Sequence, residues 1–234
     1  VTGAVSDDGF FYEPDPSSQL ASSIAGNMAM NSGGAHCLKY GVTTNNVLGA
    51  KVVLMDGEVI ELGGSHLDSG VYDLLGILVG SEGQFGIITE ATLRILPAAE
   101  GARPMMLGFS SSEVAGQVVS AIIASGIIPV AIEFMDKPAI EICESFSKAG
   151  YPLDVEALLI IEVEGSEVEI ADALARIQEI AKPFLPKSIT ISQSPEQSAK
   201  IWKGRKSAFG AVGRLADYYC MDGTIPLGRL PEIL

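Results

Sequence analysis

Apolar runs and amphipathic segments alternate along residues 105–192, and this alternation restricts the possible folds more than any other feature of the sequence. Runs rich in β-branched residues predict strands, and segments with an apolar period of about 3.6 predict helices. The predicted strands are 105–109, 130–135, 157–164 and 188–192, and the predicted helices are 112–125, 137–149 and 166–182. Such β-α-β units predict a ferredoxin-like α+β domain.

A second domain is predicted before this one. The stretch PAAEGARP, residues 97–104, is typical of a domain boundary. Upstream, strands 50–55 and 58–62 are predicted to form a hairpin through a two-residue Asp56-Gly57 turn. Residues 86–96 alternate as a half-buried strand does, with the odd-numbered residues forming the apolar face. The sequence therefore predicts one domain over residues 1–99 and another over residues 100–234.

Charge and cysteine content exclude some classes of protein. The net charge is -14, and residues 1–100 hold 12 acidic and 3 basic residues, giving -9, whereas residues 101–234 hold 17 and 12, giving -5. Nucleic-acid binding needs clustered Lys and Arg, so it is not expected. The three cysteines lack metal-ligand spacing and indicate a reducing, cytoplasmic setting, and no metal ligands are predicted. The longest uncharged run, residues 114–132, is interrupted by Gly and Pro, so no transmembrane segment is expected.

Two glycine-rich stretches are candidates for a ligand site. In SIAGNMAMNSGGAHCLKYG, Asn27 and Asn31 share one face of a short predicted helix that ends at Gly33-Gly34. The second stretch, GSEGQFG, precedes a strand and offers Glu82 among main-chain amides expected to be free. Bare backbone beside amide side chains suits a flat polar ligand, although either stretch alone is also typical of an ordinary turn. Neither a G-x-G-x-x-G nor a P-loop pattern is present.

Arg205 is the candidate for binding an anion. A helix is predicted to begin at Ser194, which forms a capping-box pattern with Gln197. Arg205 lies on the apolar face of this helix, among Ile201, Trp202, Ala208 and Phe209. An arginine on an apolar face needs an anionic partner, which can be a substrate carboxylate or one of the local acidic residues.

Three segments resemble a known flavoprotein family. PDPSSQLASSIAGNMAMNSGGAHCLKYGVTTNNVLG and YDLLGILVGSEGQFGIITEATLRILP resemble the second half of the FAD-binding domain of vanillyl-alcohol-oxidase type flavoproteins. WKGRKSAFGAVGRLADYYCMDGTIPLGRLP is similar to the catalytic flavin subunits of bacterial glycolate oxidases and to FAD-linked D-lactate dehydrogenases. The resemblance covers essentially the whole chain. It implies the second half of an FAD-binding domain, followed by a ferredoxin-like α+β substrate domain.

The resemblance also assigns roles to residues. It implies that Arg205 binds the substrate carboxylate. His36 follows the glycines implied to face the flavin and is a candidate to border the active site, with a structural role as the alternative, whereas His66 in the polar stretch GGSHLDSG is expected to be a solvated loop residue. Relatives often have lysine at the position of Cys220, and the YYCMDG run favours glycolate over larger acids. The implied FAD neighbours are the following residues: Gly26, Asn27, Asn31, Gly33, Gly34, Gly80, Glu82, Gly83, Gly86 and Ile88.

The implied function is oxidation of a small 2-hydroxy acid, glycolate or D-lactate, with hydride transfer to FAD and electrons passing to partner subunits or a carrier. A cytoplasmic position is expected, with partner subunits as a route to the inner membrane surface. The family's first pyrophosphate loop and its downstream histidine-rich segment, which supplies metal ligands or the base, are not among these 234 residues. The chain alone is therefore expected to be free of FAD and inactive. A non-catalytic module that binds a ligand or a partner chain is the alternative.

Overall fold

The computed structural model describes residues 1–19, 21–65 and 72–234. His66 lies outside the described residues. The chain divides into two compact units, Val1–Ala98 (unit 1) and Ala99–Leu234 (unit 2). Among the described residues, no helix is both long and apolar enough to cross a membrane.

Unit 1 is built on small antiparallel sheets. Its strands are β1 Phe10–Phe11, β2 Val47–Val53, β3 Val59–Gly63, β4 Ile87–Leu93 and β5 Leu96–Pro97. In strand order, the larger sheet is β3-β2-β4 and the smaller one pairs β1 with β5. The helices of this unit are short: α1 Thr2–Val5, α2 Ile24–Met30, α3 Cys37–Tyr40 and α4 Leu74–Leu78. The buried core of the unit is formed by Met28, Val47, Ala50, Val52, Leu78 and Val79.

The hairpin between β2 and β3 has a longer loop than predicted. The Leu54 N–H donates to the Glu58 carbonyl at 2.8 Å, while the Gly57 N–H donates to the Leu54 carbonyl at 3.0 Å. Three residues, Met55 to Gly57, therefore form the loop. Gly57 has φ +87°, which is typical of a type I turn followed by a left-handed residue. The Asp56-Gly57 pair marked the hairpin correctly, but the two-residue turn was wrong.

A β-bulge changes which face of β4 is buried. Lys51 pairs with Glu90 whereas Val52 pairs with Ile88, so Thr89 is an extra residue on β4. A bulge reverses the inward and outward alternation of the strand. Ile88 consequently packs against the core, and Ile87 on the predicted apolar face is 71% exposed. The predicted odd-numbered face was therefore wrong for this part of the strand.

Unit 2 contains the predicted ferredoxin-like sheet. The strands are β6 Gly101–Phe109, β7 Ala131–Asp136, β8 Ala157–Gly165 and β9 Ser188–Ile191. The helices are α5 Ser112–Ala124, α6 Lys137–Ser147, α7 Glu167–Ala181, α8 Pro195–Lys206, α9 Ala208–Gly213 and α10 Leu230–Ile233. The strand order is β7-β8-β6-β9, and every neighbouring pair is antiparallel. This order is the one that two β-α-β units produce when they fold into one sheet.

Helices cover both faces of this sheet. Buried residues of α5 and α7, including Val118, Ile122 and Ile177, form one core with Leu159 and Ile161 of β8. Buried residues of α6 and α8 form a second core on the opposite face, together with residues of the strands and of the loop after α6: Met106, Met135, Ile140, Cys143, Ala149, Tyr151, Val155, Leu158, Ile160 and Ile201. Because β8 is buried on both faces, its first residues, ALLII, form a continuous apolar run rather than an alternating one.

Side-chain caps define the helix starts in unit 2. The Ser166 hydroxyl accepts from the Glu169 N–H while Glu169 accepts from the Ser166 N–H, which completes a capping box. At α8 the Ser194 hydroxyl accepts from the Gln197 N–H at 3.2 Å, as predicted. The reciprocal bond differs, because the Gln197 side chain accepts from the Gln193 N–H instead. The predicted start of α8 is confirmed, and its capping box is incomplete.

Candidate functional site

The two glycine-rich stretches lie side by side in unit 1. The Gly80 N–H donates to the Met28 carbonyl and the Glu82 N–H to the Ala29 carbonyl, both at 2.8 Å. A Cβ placed on Gly80 would lie 3.4 Å from the Cβ of Asn31. Residues about fifty positions apart in the sequence therefore form one surface at the carboxyl end of α2.

The first stretch differs from its predicted conformation. Helix α2 ends at Met30, because Asn31 takes a left-handed conformation with φ 47° and terminates it before Gly33-Gly34. The Asn31 side-chain oxygen accepts from the Thr44 N–H at 2.9 Å, and Asn27 is buried. Both asparagines therefore contribute to the structure of the loop, and the predicted helix end was wrong.

The second stretch offers fewer free amides than predicted. The N–H groups of Gly80 and Glu82 bond to α2, while those of Ser81 and Gln84 donate to Leu78 and Ser81 carbonyls. Two consecutive left-handed residues, Glu82 at φ 54° and Gly83 at φ 79°, turn the loop back on itself and produce these bonds. The Glu82 side chain is exposed. The expectation of a set of free amides around Glu82 is corrected for these four residues.

Close backbone approach explains three of the glycines. A Cβ on Gly34 would lie 2.3 Å from Asp15 Oδ1 and 2.6 Å from the Asp15 carbonyl oxygen. A Cβ on Gly33 would lie 2.8 Å from Cys37 Sγ, and one on Gly86 would lie 2.7 Å from the Val53 carbonyl oxygen. In contrast, a Cβ on Gly83 would meet nothing within 4 Å, which leaves open backbone there.

These features fit a flat polar cofactor. Gly83 presents uncovered main chain, and the hydroxyl of Ser81 is buried with no hydrogen-bond partner among the described residues. The same is true of the Ser22 hydroxyl, just before α2. Unused hydrogen-bonding groups beside bare backbone suit a ligand with its own donors and acceptors. The side chain of Ile88 packs inward, so it does not contribute to this surface.

His36 is close to two carboxylates of unit 1. Its Nδ1 lies 3.2 Å from Asp15 Oδ2 and 4.0 Å from Glu13 Oε1. Glu13 is 3% exposed, and one ligand atom of each residue lies within 4.8 Å of those of the other two. A histidine and two carboxylates are ligands suited to a divalent cation. The same two carboxylates also suit an ion pair with a protonated histidine.

Cys37 is not an activated thiol. Burial raises the pKa of the Cys37 thiol, the Gly34 N–H bond opposes that shift, and the nearby Glu13 and Asp15 carboxylates raise the pKa further. The Gly34 N–H donates to Cys37 Sγ at 2.8 Å. Because a thiol must be deprotonated to act as a nucleophile, Cys37 serves here as a structural acceptor.

Arg205 pairs with a carboxylate of the sheet in unit 2. Its Nη2 lies 2.7 Å from Glu133 Oε2, and the side chains are 33% and 17% exposed respectively. Its Nε is buried with no hydrogen-bond partner among the described residues. Helix α8 ends at Lys206, so Ala208 and Phe209 follow in α9, and Phe209 is exposed. Ile201 is buried in the core on this face of the sheet, and Trp202 and Ala208 pack against that core, so Phe209 is the one member of the two predicted pairs that is exposed.

Three further contacts hold α8 against the rest of unit 2. The Tyr151 hydroxyl, in the loop after α6, donates to the Ile201 carbonyl at 2.6 Å, and burial raises the pKa of Tyr151 well above its usual range, so the donor stays protonated. Trp202 Nε1 donates to Glu162 Oε1 of β8 at 2.7 Å. At Gly204 a Cβ would lie 2.4 Å from the Tyr151 oxygen. The backbone of α8 thus approaches the loop after α6 closely, immediately before Arg205.

Sequence reasoning missed Glu133, Glu162 and Tyr151. Glu133 pairs with Ile160 and so occupies the face of β7 that also holds Met135. A carboxylate within the apolar run VAIEFM was the available signal, because a half-buried acid on an apolar face calls for a basic partner just as Arg205 calls for an acidic one. Nothing in the sequence pattern indicates that Glu133 and Arg205 are that pair.

Comparison with known proteins defines the class of this chain. It belongs to the FAD linked oxidases: the C-terminal domain of that family matches residues 99–234, and an FAD binding domain matches residues 1–63. Glycolate oxidase subunit GlcD of Escherichia coli (strain K12) is 46% identical over 235 residues, which is 100% of this chain and 47% of that protein. The predicted family is thereby confirmed.

Two further relatives and a solved structure agree with this class. Glycolate oxidase subunit GlcD of Bacillus subtilis (strain 168) is 37% identical over 99% of this chain and 50% of that protein. D-lactate dehydrogenase of Anaerostipes hadrus is 31% identical over 97% and 49%. The chain thus spans about half the length of these relatives. The structure of alkyldihydroxyacetonephosphate synthase shares the fold, with a TM-score of 0.71 at 19% identity over 92% of this chain and 40% of that one.

Proposed function

We propose that this chain supplies part of the FAD site and the substrate-binding domain of an enzyme that oxidises a small 2-hydroxy acid, glycolate or D-lactate. Similarity to glycolate oxidase subunits along the entire chain carries this proposal. The D-lactate dehydrogenase relative supports the same substrate class. Electrons are proposed to leave through partner subunits or a carrier, and the protein is proposed to be cytoplasmic, with those subunits as its contact with the inner membrane.

The chemistry divides between cofactor and protein. FAD, when bound, supplies the hydride acceptor. Arg205 is proposed to bind and orient the carboxylate of the acid, because its Nε and its remaining N–H groups can donate hydrogen bonds to a carboxylate. His36 is proposed to border the active site. Cys220, which is exposed, is proposed to favour glycolate.

The proposed contacts to FAD all belong to unit 1. The two adjoining glycine-rich stretches supply them, mainly through main-chain groups, because the half of the chain that contains them is acidic and cannot attract an anionic cofactor by charge. The proposed neighbours are the following residues: Gly26, Asn27, Asn31, Gly33, Gly34, Gly80, Glu82, Gly83, Gly86 and Ile88.

One experiment tests the function directly. The purified full-length protein is expected to show flavin absorbance and to reduce an artificial electron acceptor with glycolate, D-lactate or D-2-hydroxyglutarate as donor. The order of kcat/KM among the three acids ranks the substrates. A colourless protein that cannot be reconstituted with FAD would contradict the proposal and favour a non-catalytic binding module.

Substituting Gly34 is expected to reduce FAD binding in the full-length protein. Gly34→Ala puts a Cβ against the Asp15 carbonyl, so the backbone must shift, and overpacking of this kind costs about 1–3 kcal/mol. We expect the dissociation constant for FAD to rise about tenfold or more. Gly3→Ala is the matched control, because a Cβ there would meet nothing within 4 Å. Equal flavin content in the two variants would show that Gly34 is not part of the cofactor site.

A further inference from the structure

Arg205 presents a guanidinium that is only partly used. Glu133 occupies Nη2 at 2.7 Å, while Nε is buried and has no partner in the described part of the chain. A fully structural ion pair would be expected to satisfy such a buried donor. The arrangement instead leaves hydrogen-bonding capacity on a cation that is already paired with one carboxylate.

Glu133 is the carboxylate in direct contact with this cation. Cys143 on α6 and Tyr151 after it also lie near Arg205, but burial raises the pKa of both, so both are neutral. Glu144 accepts the N–H groups of Gly150 and Tyr151. Glu162 bonds to Trp202, one helical turn before Arg205.

We propose that Glu133 makes Arg205 selective for the number of negative charges on the bound acid, favouring monocarboxylates over dicarboxylates. The proposal rests on the role of Arg205 given under Proposed function. A bound acid and Glu133 would share one guanidinium as two like charges about 6 Å apart, and at an effective dielectric constant of about 20 that repulsion is large enough to change affinity at least tenfold. A dianion experiences it with both of its charges. Glu133 thereby weakens binding of every anion and weakens binding of dianions most.

The test compares three variants of the full-length protein. Glu133→Gln keeps the side-chain length and a hydrogen-bond acceptor but removes the charge. Glu133→Asp keeps the charge and shortens the side chain. Glu162→Gln is the matched control, since it neutralises another acid that faces the same helix. Binding of acetate, a monoanion, and oxalate, a dianion at neutral pH, is measured by calorimetry, which does not depend on turnover.

We expect Glu133→Gln to tighten acetate binding about tenfold or more and oxalate binding by a larger factor, so that the ratio of the two constants changes. Glu133→Asp and Glu162→Gln should keep the ratio of the unsubstituted protein. If Glu133→Gln leaves the ratio unchanged, or weakens both anions, the proposal is wrong and Glu133 only orients Arg205. An equal change of the ratio in Glu162→Gln would also show that the proposal is wrong.

Arg205→Gln separates this inference from the function on which it rests. If Arg205→Gln binds acetate as well as the unsubstituted protein does, the carboxylate-binding role of Arg205 fails, and the role of Glu133 fails with it. If Arg205→Gln loses acetate binding while Glu133→Gln shows an unchanged ratio, only the inference about Glu133 fails. Thermal unfolding of each variant identifies any that lose the fold, and if Glu133→Gln is one of them, Glu133→Ala, which also removes the charge, carries the test with the same expected change in the ratio.

Discussion

Arg205→Lys in the full-length protein is expected to lower kcat/KM for its 2-hydroxy acid by about 30-fold to 1000-fold, the equivalent of about 2–4 kcal/mol for breaking one side of a buried charged pair. Lysine keeps the positive charge but lacks the planar fork, which pairs with Glu133 and is proposed to bind the substrate carboxylate as well. FAD content should not change, because the proposed cofactor contacts lie in unit 1 and Arg205 lies in unit 2. Steady-state kinetics with an artificial acceptor and the flavin absorbance measure both quantities.

The control for this prediction is Lys203→Ala, which removes an exposed basic residue from the same helix. It should leave kcat/KM within about twofold, as exposed charges contribute little. Near-normal kcat/KM for Arg205→Lys with every acid would show that the pair with Glu133 is the whole role of Arg205. Loss of FAD or of the fold in that variant would lead to the same conclusion.

Gly204→Ala is expected to destabilise unit 2 by about 1–3 kcal/mol, the usual cost of overpacking. The new Cβ would lie 2.4 Å from the Tyr151 oxygen and 2.6 Å from the Ala149 Cβ. Tyr151 cannot move aside easily, because it is buried and its hydroxyl bonds to the Ile201 carbonyl of the same helix. Thermal or urea unfolding of the full-length protein measures the loss.

Gly210→Ala is the matched control in the next helix. The nearest atom to its added Cβ is Phe146 Cζ at 4.0 Å, and alanine is favoured over glycine in a helix by about 1 kcal/mol. This variant should be as stable as the unsubstituted protein or more so. If both glycine variants unfold at the same temperature, α8 does not approach Tyr151 and Ala149 as closely as described.

Local chemistry made much of the fold predictable. The strands and helices of unit 2 lie within a few residues of their predicted positions, because each has an apolar pattern, and α5, α6 and α7 each have a Ser or Asp at the start. Two of the predictions that were wrong involve single residues whose backbone conformation depends on neighbours. Asn31 ends α2 in a left-handed conformation, and Thr89 forms a bulge where β4 pairs with β2. Neither event has a periodic signal.

The site was predictable in its residue types and less so in its contacts. The glycines indicated positions where the backbone lies close to other atoms, and Gly34, which lies against Asp15, is one of them. The sequence could not indicate that the N–H groups of Gly80 and Glu82 are used by α2. Hydrogen bonds between segments about fifty residues apart depend on how the chain folds back, which no local pattern records.

The sequence by itself determined that Arg205 needs an anionic partner, because a guanidinium on an apolar helix face cannot remain without one. Only the tertiary structure decided that Glu133 provides it. The choice follows from the order β7-β8-β6-β9, which places β7 at one edge of the sheet, and from the pairing of Glu133 with Ile160, which directs its side chain to the face that α8 covers. Strand order and register are settled by packing of the whole unit, so they lie beyond the reach of any local pattern.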